Sequence, residues 1–243
     1  MRVLVTGAAS GIGRAVAARL EADGGRVLSV DLRPDSEGPG EEFEANLTTR
    51  EGNRAAVETA VERFGGLDVV VANAGLQHVA PVPEFGEDEW DRLIALLLTS
   101  PFLLAKYAWS ALAEADEGRF IGVASVHGLV ASPYKAGYVS AKHGLLGLIK
   151  TLALEGAEQG ILATAVCPAF VRTPLVEAQL ADQAKAHDLA EDQVLEDVVL
   201  APHVVKRLIE PEEVAEVVAF LAGPQGRAFT GAAIPMDLGW TAR

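Results

Sequence analysis

The 243-residue sequence has a single cysteine, few aromatic residues and few positive charges. One cysteine, Cys167, excludes an internal disulfide, and such a chain is typical of a reducing compartment, so we expect a cytoplasmic protein. The 20 Lys and Arg residues against 34 Asp and Glu give a formal net charge of -14. Binding to a nucleic-acid backbone or to anionic lipid needs a basic surface. We therefore expect neither nucleic-acid nor membrane partners.

Long apolar runs are also scarce. The opening residues MRVLVTGAASG contain too short an apolar stretch for a signal peptide. Only segment 93–113, LIALLLTSPFLLAKYAWSALA, has the length of a membrane span, for which about 20 apolar residues suffice. Its proline, lysine, threonine and serines count against a span, and we expect a buried or subunit-packing helix. The sequence predicts no metal site.

What the sequence does have is a regular alternation of short β-branched runs with helical stretches. The predicted strands are RVLVT, RVLSVD, EEFEAN, LDVVVAN, RFIGVAS, ILATAVC and AAIPM, and helices are predicted between them. Continuous apolar strands covered by helices indicate a parallel sheet buried on both faces. We predict a single α/β domain over residues 1–243, doubly wound in the Rossmann manner, with a sheet of about seven strands. ILATAVC also predicts a buried, inert thiol for Cys167.

One segment interrupts this pattern. Residues 172–209 are helical in character, rich in charge and alanine, and longer than a simple crossover. An insertion of this length near the carboxyl ends of strands is typical of a lid over a substrate. An additional pair of surface helices is the alternative.

A glycine-rich turn, TGAASGIG, connects the first strand to the first helix. Gly7, Gly11 and Gly13 allow a sharp turn and close approach of a ligand, and the helix amino end offers free N–H groups to a pyrophosphate. Asp31 ends the second strand about 20 residues later, where a carboxylate holds ribose hydroxyls. That carboxylate repels a 2′-phosphate, and Arg33 is the nearest compensating cation. The sequence therefore predicts NAD rather than NADP.

The stretch ASVHGLVASPYKAGYVSAK contains the polar groups suited to proton exchange with an alcohol. Tyrosine has an unperturbed pKa of about 10, and a nearby cation lowers it. Lys142 follows Tyr138 by four residues and therefore shares its helix face, whereas Tyr134 has no cation at that spacing. Ser125 ends the preceding strand at the same edge of the sheet. We interpret Tyr138 and Lys142 as the chemical pair and Tyr134 as a packed aromatic residue.

Together, TGAASGIG, the NAG motif at 73–75, Ser125, the YVSAK motif at 138–142 and CPAFVRTP resemble the short-chain dehydrogenase/reductase superfamily. The resemblance implies that Tyr138 is the catalytic acid/base, Ser125 hydrogen-bonds the substrate oxygen, and Lys142 holds the nicotinamide ribose and tunes Tyr138. It also implies that Thr173 contacts the nicotinamide carboxamide and that Asn73 supports the strand beside the adenosine. The expected cofactor-binding residues are Gly7, Ser10, Gly11, Ile12, Gly13, Asp31, Asn46, Leu47, Asn73, Ala74, Gly75, Tyr138, Lys142, Pro168, Val171 and Thr173.

A narrower resemblance, to bacterial D-3-hydroxybutyrate dehydrogenases, is carried by NAGLQHVAPVPEF, ASVHGLVASPYK, VRTPLVEAQ, VVKRLIEPEEVAE and GAAIPMDLGWTAR. It implies a small carboxylate substrate, (R)-3-hydroxybutyrate, oxidised by NAD to acetoacetate. It also implies a homotetramer assembled through helices at about 89–113 and 137–157. The carboxylate would pair with Lys135 and accept a hydrogen bond from His127. The full expected substrate set is Gln77, Ser125, His127, Lys135, Tyr138, Phe170 and Gln179.

The chain departs from the family pattern at five positions: Leu97 replaces an Asn that supports a proton-relay water, Phe170 replaces a Trp, Asn46 replaces an Asp near adenine, and Ala169 and Leu238 replace glycines. Two alternatives follow. Phe170 favours a dehydrogenase for another hydroxy acid or a secondary alcohol. Leu97 favours a catalytically weakened NAD-binding protein, since a leucine side chain cannot hold the water.

Overall fold

Seven parallel strands form one sheet in the computed structural model, which describes residues 1–187 and 189–242. Their spatial order is β3-β2-β1-β4-β5-β6-β7, so the chain starts in the middle and winds outward in both directions. This arrangement confirms the predicted doubly wound fold. The strands are β1 (Arg2–Thr6), β2 (Arg26–Asp31), β3 (Glu41–Glu44), β4 (Val69–Ala72), β5 (Gly118–Val123), β6 (Ile161–Pro168) and β7 (Ala233–Met236).

Helices cover both faces of the sheet. Alternate residues of β1 show why: Val3 and Val5 point to one side and Leu4 to the other, and all three are fully buried. One side packs against α1 and α9, and the other against α2, α4 and α5. The helices are α1 (Gly11–Ala22), α2 (Arg50–Phe64), α3 (Glu87–Ile94), α4 (Ser100–Ala113), α5 (Ala136–Gly156), α6 (Pro174–Glu177), α7 (Leu180–His187), α8 (Glu191–Val194) and α9 (Pro211–Ala222).

The apolar segment 93–113 lies within a continuous helical run, Glu87–Ala113, in which α3 and α4 are joined by a π-helical turn, Ala95–Thr99. By length and composition this run could cross a membrane, but 44% of its most apolar window is buried in the fold. A polar contact ties it to α2, because the Ser100 hydroxyl donates to Asn53 Oδ1 at 2.6 Å and Asn53 is fully buried. This packing agrees with the buried helix that the sequence predicts.

Cys167 lies in β6 with no exposed surface, and burial raises the pKa of its thiol to about 11. A thiol with so high a pKa is protonated at neutral pH and is a poor nucleophile. The predicted burial of this thiol is confirmed.

The segment 172–209 extends away from the sheet, and its two ends lie next to each other. At its base, Arg172 N donates to Ile209 O and Ile209 N donates to Phe170 O, at 2.8 and 3.0 Å. Between these ends the described residues form α6, α7, α8 and a π-helical turn, Leu195–Val199. A small apolar cluster of Phe170, Ala184, Val194, Val199 and Leu208 holds the excursion together. Asp188, within the predicted insertion, lies outside the described residues.

Candidate active site

The turn between β1 and α1 needs glycine for two different reasons. Gly7 and Gly11 have φ of +67° and +52°, which L side chains rarely adopt. At Gly13 the reason is space, since an added β-carbon would lie 2.1 Å from the carbonyl oxygen of Gly7. The turn therefore keeps its backbone close to α1, whose first N–H groups have no intrahelical partner and can bind an anion.

The adjacent strand holds this turn in place. Asn73 Nδ2 donates to the carbonyl of Thr6 at 2.8 Å, and the Thr6 hydroxyl accepts from Asn73 N and Ala74 N, both at 3.0 Å. Thr6 is a residue that our sequence reasoning missed. It could have been found from the sequence, because Thr6 is a hydroxyl residue at the end of β1, next to the strand that precedes the NAG motif.

Asp31, at the end of β2, faces the glycine turn from the other side. Its carboxylate accepts from Ala9 N and from Arg33 N, each at 3.1 Å, and remains partly exposed. Arg33 is exposed on the following bend. The carboxylate is thus fixed at the rim of the groove where a ribose diol would lie.

One cavity of about 290 Å³ joins this rim to the predicted catalytic residues. It follows the carboxyl ends of β1, β4, β5 and β6, the position at which doubly wound sheets bind nucleotides. Gly13 and Ala74 support the turn from beside the cavity, and Asn46 and Leu47 also lie outside its lining. The predicted residues that line it are Gly7, Ser10, Gly11, Ile12, Asp31, Asn73, Gly75, Ser125, Tyr138, Lys142, Pro168, Val171 and Thr173.

Asn46 uses its side chain locally. Its Oδ1 accepts from the backbone N–H and the hydroxyl of Thr48, at 3.0 and 2.7 Å, and the residue is exposed. The amide therefore shapes the turn before α2, and its use toward adenine stays a prediction.

Ser125 follows β5, and Tyr138 and Lys142 lie one turn apart on α5. Burial raises the pKa of the Tyr138 phenol, and the nearby hydroxyl of Ser125 lowers it by a smaller amount. Lys142 Nζ donates to the carbonyl of Val123 at 2.7 Å and lies 5.6 Å from the centre of the Tyr138 ring. Burial lowers the pKa of Lys142 to about 8. A phenol, a hydroxyl and a cation thus meet at one end of the cavity.

A second cavity, of about 310 Å³, lies under the excursion 172–209. Lys135 is 3% exposed there, and burial lowers the pKa of its ammonium to about 8. Its Nζ lies 4.8 Å from the centre of the Phe170 ring. The residues that line this second cavity are Ser132, Pro133, Lys135, Phe170, Gln183, His187, Leu189, Asp197, Val198, Pro202 and Trp240.

His127 contacts residues of both cavities. Its ring centre lies 6.0 Å from that of Tyr138 and 5.4 Å from that of Trp240, edge to face in both cases. Nε2 lies 2.9 Å from the Ser132 hydroxyl and Nδ1 lies 3.5 Å from that of Ser125. Burial lowers the pKa of His127 to about 3, so the imidazole is neutral and presents one donor and one acceptor. A polar chain therefore connects Ser125 to the second cavity.

Besides His127, two predicted substrate residues do not line either cavity. Gln77 Oε1 accepts from the N–H of its neighbour His78 at 3.0 Å. Gln179 Nε2 donates to the carbonyl of Leu175 at 2.7 Å, one helical turn earlier. Both amides are engaged by nearby backbone, and their contact with a substrate carboxylate stays a prediction.

Three residues around the second cavity were missed from the sequence. Trp240 stacks on Phe170 with ring centres 5.9 Å apart and thus supplies a large ring beside the smaller Phe170. Gln183 and His203 are buried, and among the described residues both amide atoms of Gln183 and Nε2 of His203 have no hydrogen-bond partner. Trp240 could have been predicted from the sequence, because the GWTAR tail is part of the narrower resemblance. No pattern singles out Gln183 or His203 in the charged helical segment.

Leu97 lies in the π-helical turn before α4 and is 1% exposed. It packs with Leu93, Ala141 and Tyr138, and its Cδ2 would lie 3.4 Å from a β-carbon on Gly75. The position behind Tyr138 is therefore apolar in this protein.

Fold and site define an oxidoreductase of the Rossmann type, and the chain belongs to the short-chain dehydrogenase/reductase family. The family described as Enoyl-(Acyl carrier protein) reductase matches residues 7–241. This family normally uses a nicotinamide cofactor, and the glycine turn, Asp31 and the adjoining cavity fit one.

Named relatives give a finer comparison. The chain is 40% identical to D-beta-hydroxybutyrate dehydrogenase of Rhizobium meliloti (strain 1021), covering 99% of this chain and 98% of that protein. It is 37% identical to the D-beta-hydroxybutyrate dehydrogenase of Cupriavidus necator, covering 99% and 97%. Among solved structures, ligand-free aldohexose dehydrogenase of Thermoplasma acidophilum superposes with a TM-score of 0.92 at 28% identity, covering 99% of this chain and 94% of that one.

Proposed function

We propose that this protein is an NAD-dependent dehydrogenase that interconverts (R)-3-hydroxybutyrate and acetoacetate. The observation that carries the proposal is the position of Lys135, a buried lysine whose charge acts on His127, the residue that also contacts Ser125 and Tyr138. A short hydroxy acid has its carboxylate a few bonds from the carbon that loses hydride. Two relatives similar over their full length carry the name of this activity.

The preference for NAD rests on Asp31. Its carboxylate is fixed by two backbone N–H groups at the end of β2 and can accept hydrogen bonds from both hydroxyls of an adenosine ribose. A 2′-phosphate at this position would meet the negative charge at short range. The exposed Arg33 would need to turn toward the phosphate to offset that repulsion.

Proton transfer is assigned to Tyr138. When bound, NAD would accept the hydride from the substrate carbon. The Ser125 hydroxyl donates to the substrate oxygen, and the Tyr138 phenolate removes the hydroxyl proton. Burial alone raises the pKa of Tyr138, so the phenolate needs a cation. Lys142, tethered to Val123, supplies that charge while its ammonium is protonated, below a pKa of about 8.

The substrate carboxylate is assigned to Lys135. Burial shifts the pKa of this lysine downward, and no carboxylate in the described part of the chain raises it. A buried ammonium without a counter-charge is costly, and a bound monoacid would supply that charge through a charge-assisted hydrogen bond. His127 is neutral and can donate one further hydrogen bond. Helices α6 to α8 cover the cavity and would exclude water from the pair.

Assembly and location complete the proposal. We place the protein in the cytoplasm as a homotetramer, in which α4 and α5 form subunit contacts. Phe102 on α4 is 48% exposed and Leu154 on α5 is 81% exposed, and association would cover such apolar side chains. Multi-angle light scattering on the purified protein would test this, with a mass near 25.5 kDa contradicting the tetramer.

Two observations favour other functions. The stacked Phe170 and Trp240 give the second cavity an aromatic wall that suits a bulkier hydroxy acid or a secondary alcohol. Leu97 places an apolar side chain behind Tyr138, which suits a weakened enzyme that mainly binds NAD.

Measurement of NADH formation distinguishes the proposed function from these two alternatives. Purified protein is mixed with NAD and either enantiomer of 3-hydroxybutyrate, and absorbance at the NADH band is followed. Turnover of the R acid alone is the expected result. Turnover of other alcohols only supports the bulkier substrate, and NAD binding without turnover of any alcohol supports the weakened enzyme.

A further inference from the structure

Each proton that Tyr138 removes from a substrate hydroxyl has to leave the site before the next turnover. Two neighbours of the phenol offer no further step for it. Leu97 is 1% exposed and packs against Tyr138 with an apolar side chain. The buried ammonium of Lys142 donates to the carbonyl of Val123 at 2.7 Å, and a carbonyl oxygen has no proton of its own to pass on. A route for the proton therefore starts on the side of Ser125.

Two hydroxyl groups and one imidazole lie in a row on that side. Ser125 lines the first cavity, of about 290 Å³, together with Tyr138. Its Oγ lies 3.5 Å from Nδ1 of His127, and Nε2 of the same ring lies 2.9 Å from Oγ of Ser132. The first distance is long for a hydrogen bond, and catalytic hydrogen bonds of this kind tighten when substrate binds. The row leads from the catalytic tyrosine to Ser132.

The imidazole in the middle of this row can pass a proton on without becoming charged. A neutral imidazole has one N–H donor and one nitrogen that accepts. Burial and the charge of Lys135 lower the pKa of His127 to about 3, so the imidazolium is disfavoured. Nδ1 can take a proton while Nε2 gives its own away, which leaves the ring neutral. Rotation of the ring by half a turn restores the starting tautomer.

Ser132 brings the row to solvent. The residue is partly exposed and lines the second cavity, under the excursion 172–209. His187 and Asp197 line the same cavity, and Asp197 is exposed. Both of these groups exchange protons with water. A proton that reaches the Ser132 hydroxyl is therefore at the edge of the buried site.

We propose that Ser125, His127 and Ser132 form a proton relay that carries the proton of the reaction to the second cavity. After the ketone has left, the O–H proton of Tyr138 moves to Ser125 as the proton of Ser125 moves to Nδ1. The Nε2 proton moves to Ser132, which gives its own proton to water or a buffer base. Each relay group gains one proton and loses one, and Tyr138 becomes a phenolate again. This inference rests on the proposed function for the role of Tyr138.

Removal of the last relay group tests the relay. Ser132→Ala deletes that hydroxyl and leaves the other two relay groups in place. Ser132→Thr keeps a hydroxyl, and Ser140→Ala removes an exposed serine that lines neither cavity. The value of kcat for oxidation of (R)-3-hydroxybutyrate is measured at low buffer concentration and constant ionic strength, in H₂O and in D₂O, with and without imidazole.

The kcat of Ser132→Ala should fall at least about tenfold, because proton transfer then limits turnover. Its solvent isotope effect should exceed that of the natural protein. Imidazole is small enough for a cavity of about 310 Å³ and should restore kcat in proportion to its concentration, by accepting the proton from His127. Ser132→Thr and Ser140→Ala should match the natural protein and gain nothing from imidazole.

Binding of butyrate, measured by calorimetry, separates a relay from a positioning role. We expect Ser132→Ala to bind butyrate as the natural protein does while its kcat is lower. Parallel loss of affinity and kcat would show that Ser132 only orients His127, and it would overturn the relay. An unchanged kcat in Ser132→Ala, or a fall that imidazole does not rescue, would overturn it as well. Thermal unfolding of each variant serves as the folding check.

The proposed function fails by a different measurement. It fails if the natural protein forms no NADH from (R)-3-hydroxybutyrate, and the relay is then measured with another alcohol that the protein oxidises. A protein that oxidises no alcohol would overturn both. Normal turnover in the natural protein with equal turnover in Ser132→Ala would overturn the relay alone.

Discussion

The side-chain nitrogen of Asn73 would lie 2.5 Å from a β-carbon built on Gly13, while it donates to the carbonyl of Thr6 at 2.8 Å. The asparagine that fastens β4 to the glycine turn therefore also fills the space that any side chain at Gly13 would need. The two residues act as one unit, and neither can change in size without moving the backbone that would hold a pyrophosphate.

Gly13→Ala should disturb both folding and cofactor binding. The methyl group would meet the Gly7 carbonyl at 2.1 Å, so the turn must shift, at a cost on the order of 1–3 kcal/mol in the free energy of unfolding. We expect at least tenfold weaker NAD binding, measured by quenching of tryptophan fluorescence. Gly86→Ala is the control, because its methyl would meet only ordinary contacts at 3.8 Å. Unchanged NAD affinity in Gly13→Ala would show that the turn does not hold the cofactor.

Asp31→Asn separates charge from hydrogen bonding. The amide oxygen can still accept from Ala9 N and preserve the turn, but the negative charge is lost. We expect the ratio of kcat/KM for NAD over NADP to fall at least tenfold, mainly because NADP improves. The matched change Asp35→Asn, on the same exposed segment and paired with Arg14, should leave the ratio unchanged. A ratio that Asp31→Asn does not alter would mean that another residue selects the cofactor.

Tyr138→Phe should remove proton transfer while it leaves the cavity intact. Positioned acid/base groups contribute about 10²–10⁴-fold, so kcat should fall by that factor. NAD affinity should stay within about twofold, since the ring and Lys142 remain. Tyr134→Phe is the control because Tyr134 packs on His187 and lines neither cavity. Parallel loss of turnover and NAD affinity in Tyr138→Phe would indicate a structural role.

Binding of a carboxylate should weaken in alkaline solution. Burial lowers the pKa of Lys135 to about 8 in the free protein, and a bound carboxylate raises it again by stabilising the ammonium. Affinity is therefore fully present below pH 8 and is lost as the pH rises through that value. Calorimetry with butyrate from pH 6 to 10 measures it.

Lys135→Met should bind butyrate weakly and without this pH dependence. The exposed Lys150→Met, on the outer part of α5, should behave like the natural protein. If the pH dependence persists in Lys135→Met, the titrating group is Lys142, whose pKa is also about 8.

Much of the fold could be predicted from the sequence because it depends on local patterns. Continuous apolar runs such as VLV in β1 and VVV in β4 indicate strands buried on both faces, and their alternation with helices indicates that the strands are parallel. The pairing of Tyr138 with Lys142 could be predicted for the same reason, since residues four positions apart lie on the same face of a helix. The boundaries were less certain, and β4 is shorter than the predicted run LDVVVAN.

The residues around the second cavity were harder to predict because they come from distant parts of the chain. Phe170 and Trp240 are 70 positions apart and stack only because β6 and β7 are neighbours in the sheet. Gln179 is expected to contact the substrate from the family resemblance alone, and in the structure its amide donates to the carbonyl of Leu175. A side-chain amide takes the nearest backbone partner available, and sequence does not show which partners the fold leaves free.

By itself the sequence determined the doubly wound sheet, the glycine turn with Asp31, and the helical pair of Tyr138 and Lys142. These features depend on periodicity, on backbone freedom and on short spacing, all of which are local. Only the tertiary structure decided that His127 contacts residues of both cavities, that Lys135 is buried with no counter-charge among the described residues, and that Phe170 stacks on Trp240. Burial and hydrogen-bond satisfaction depend on what distant segments place around a residue, and the order of residues along a chain does not contain that information in readable form.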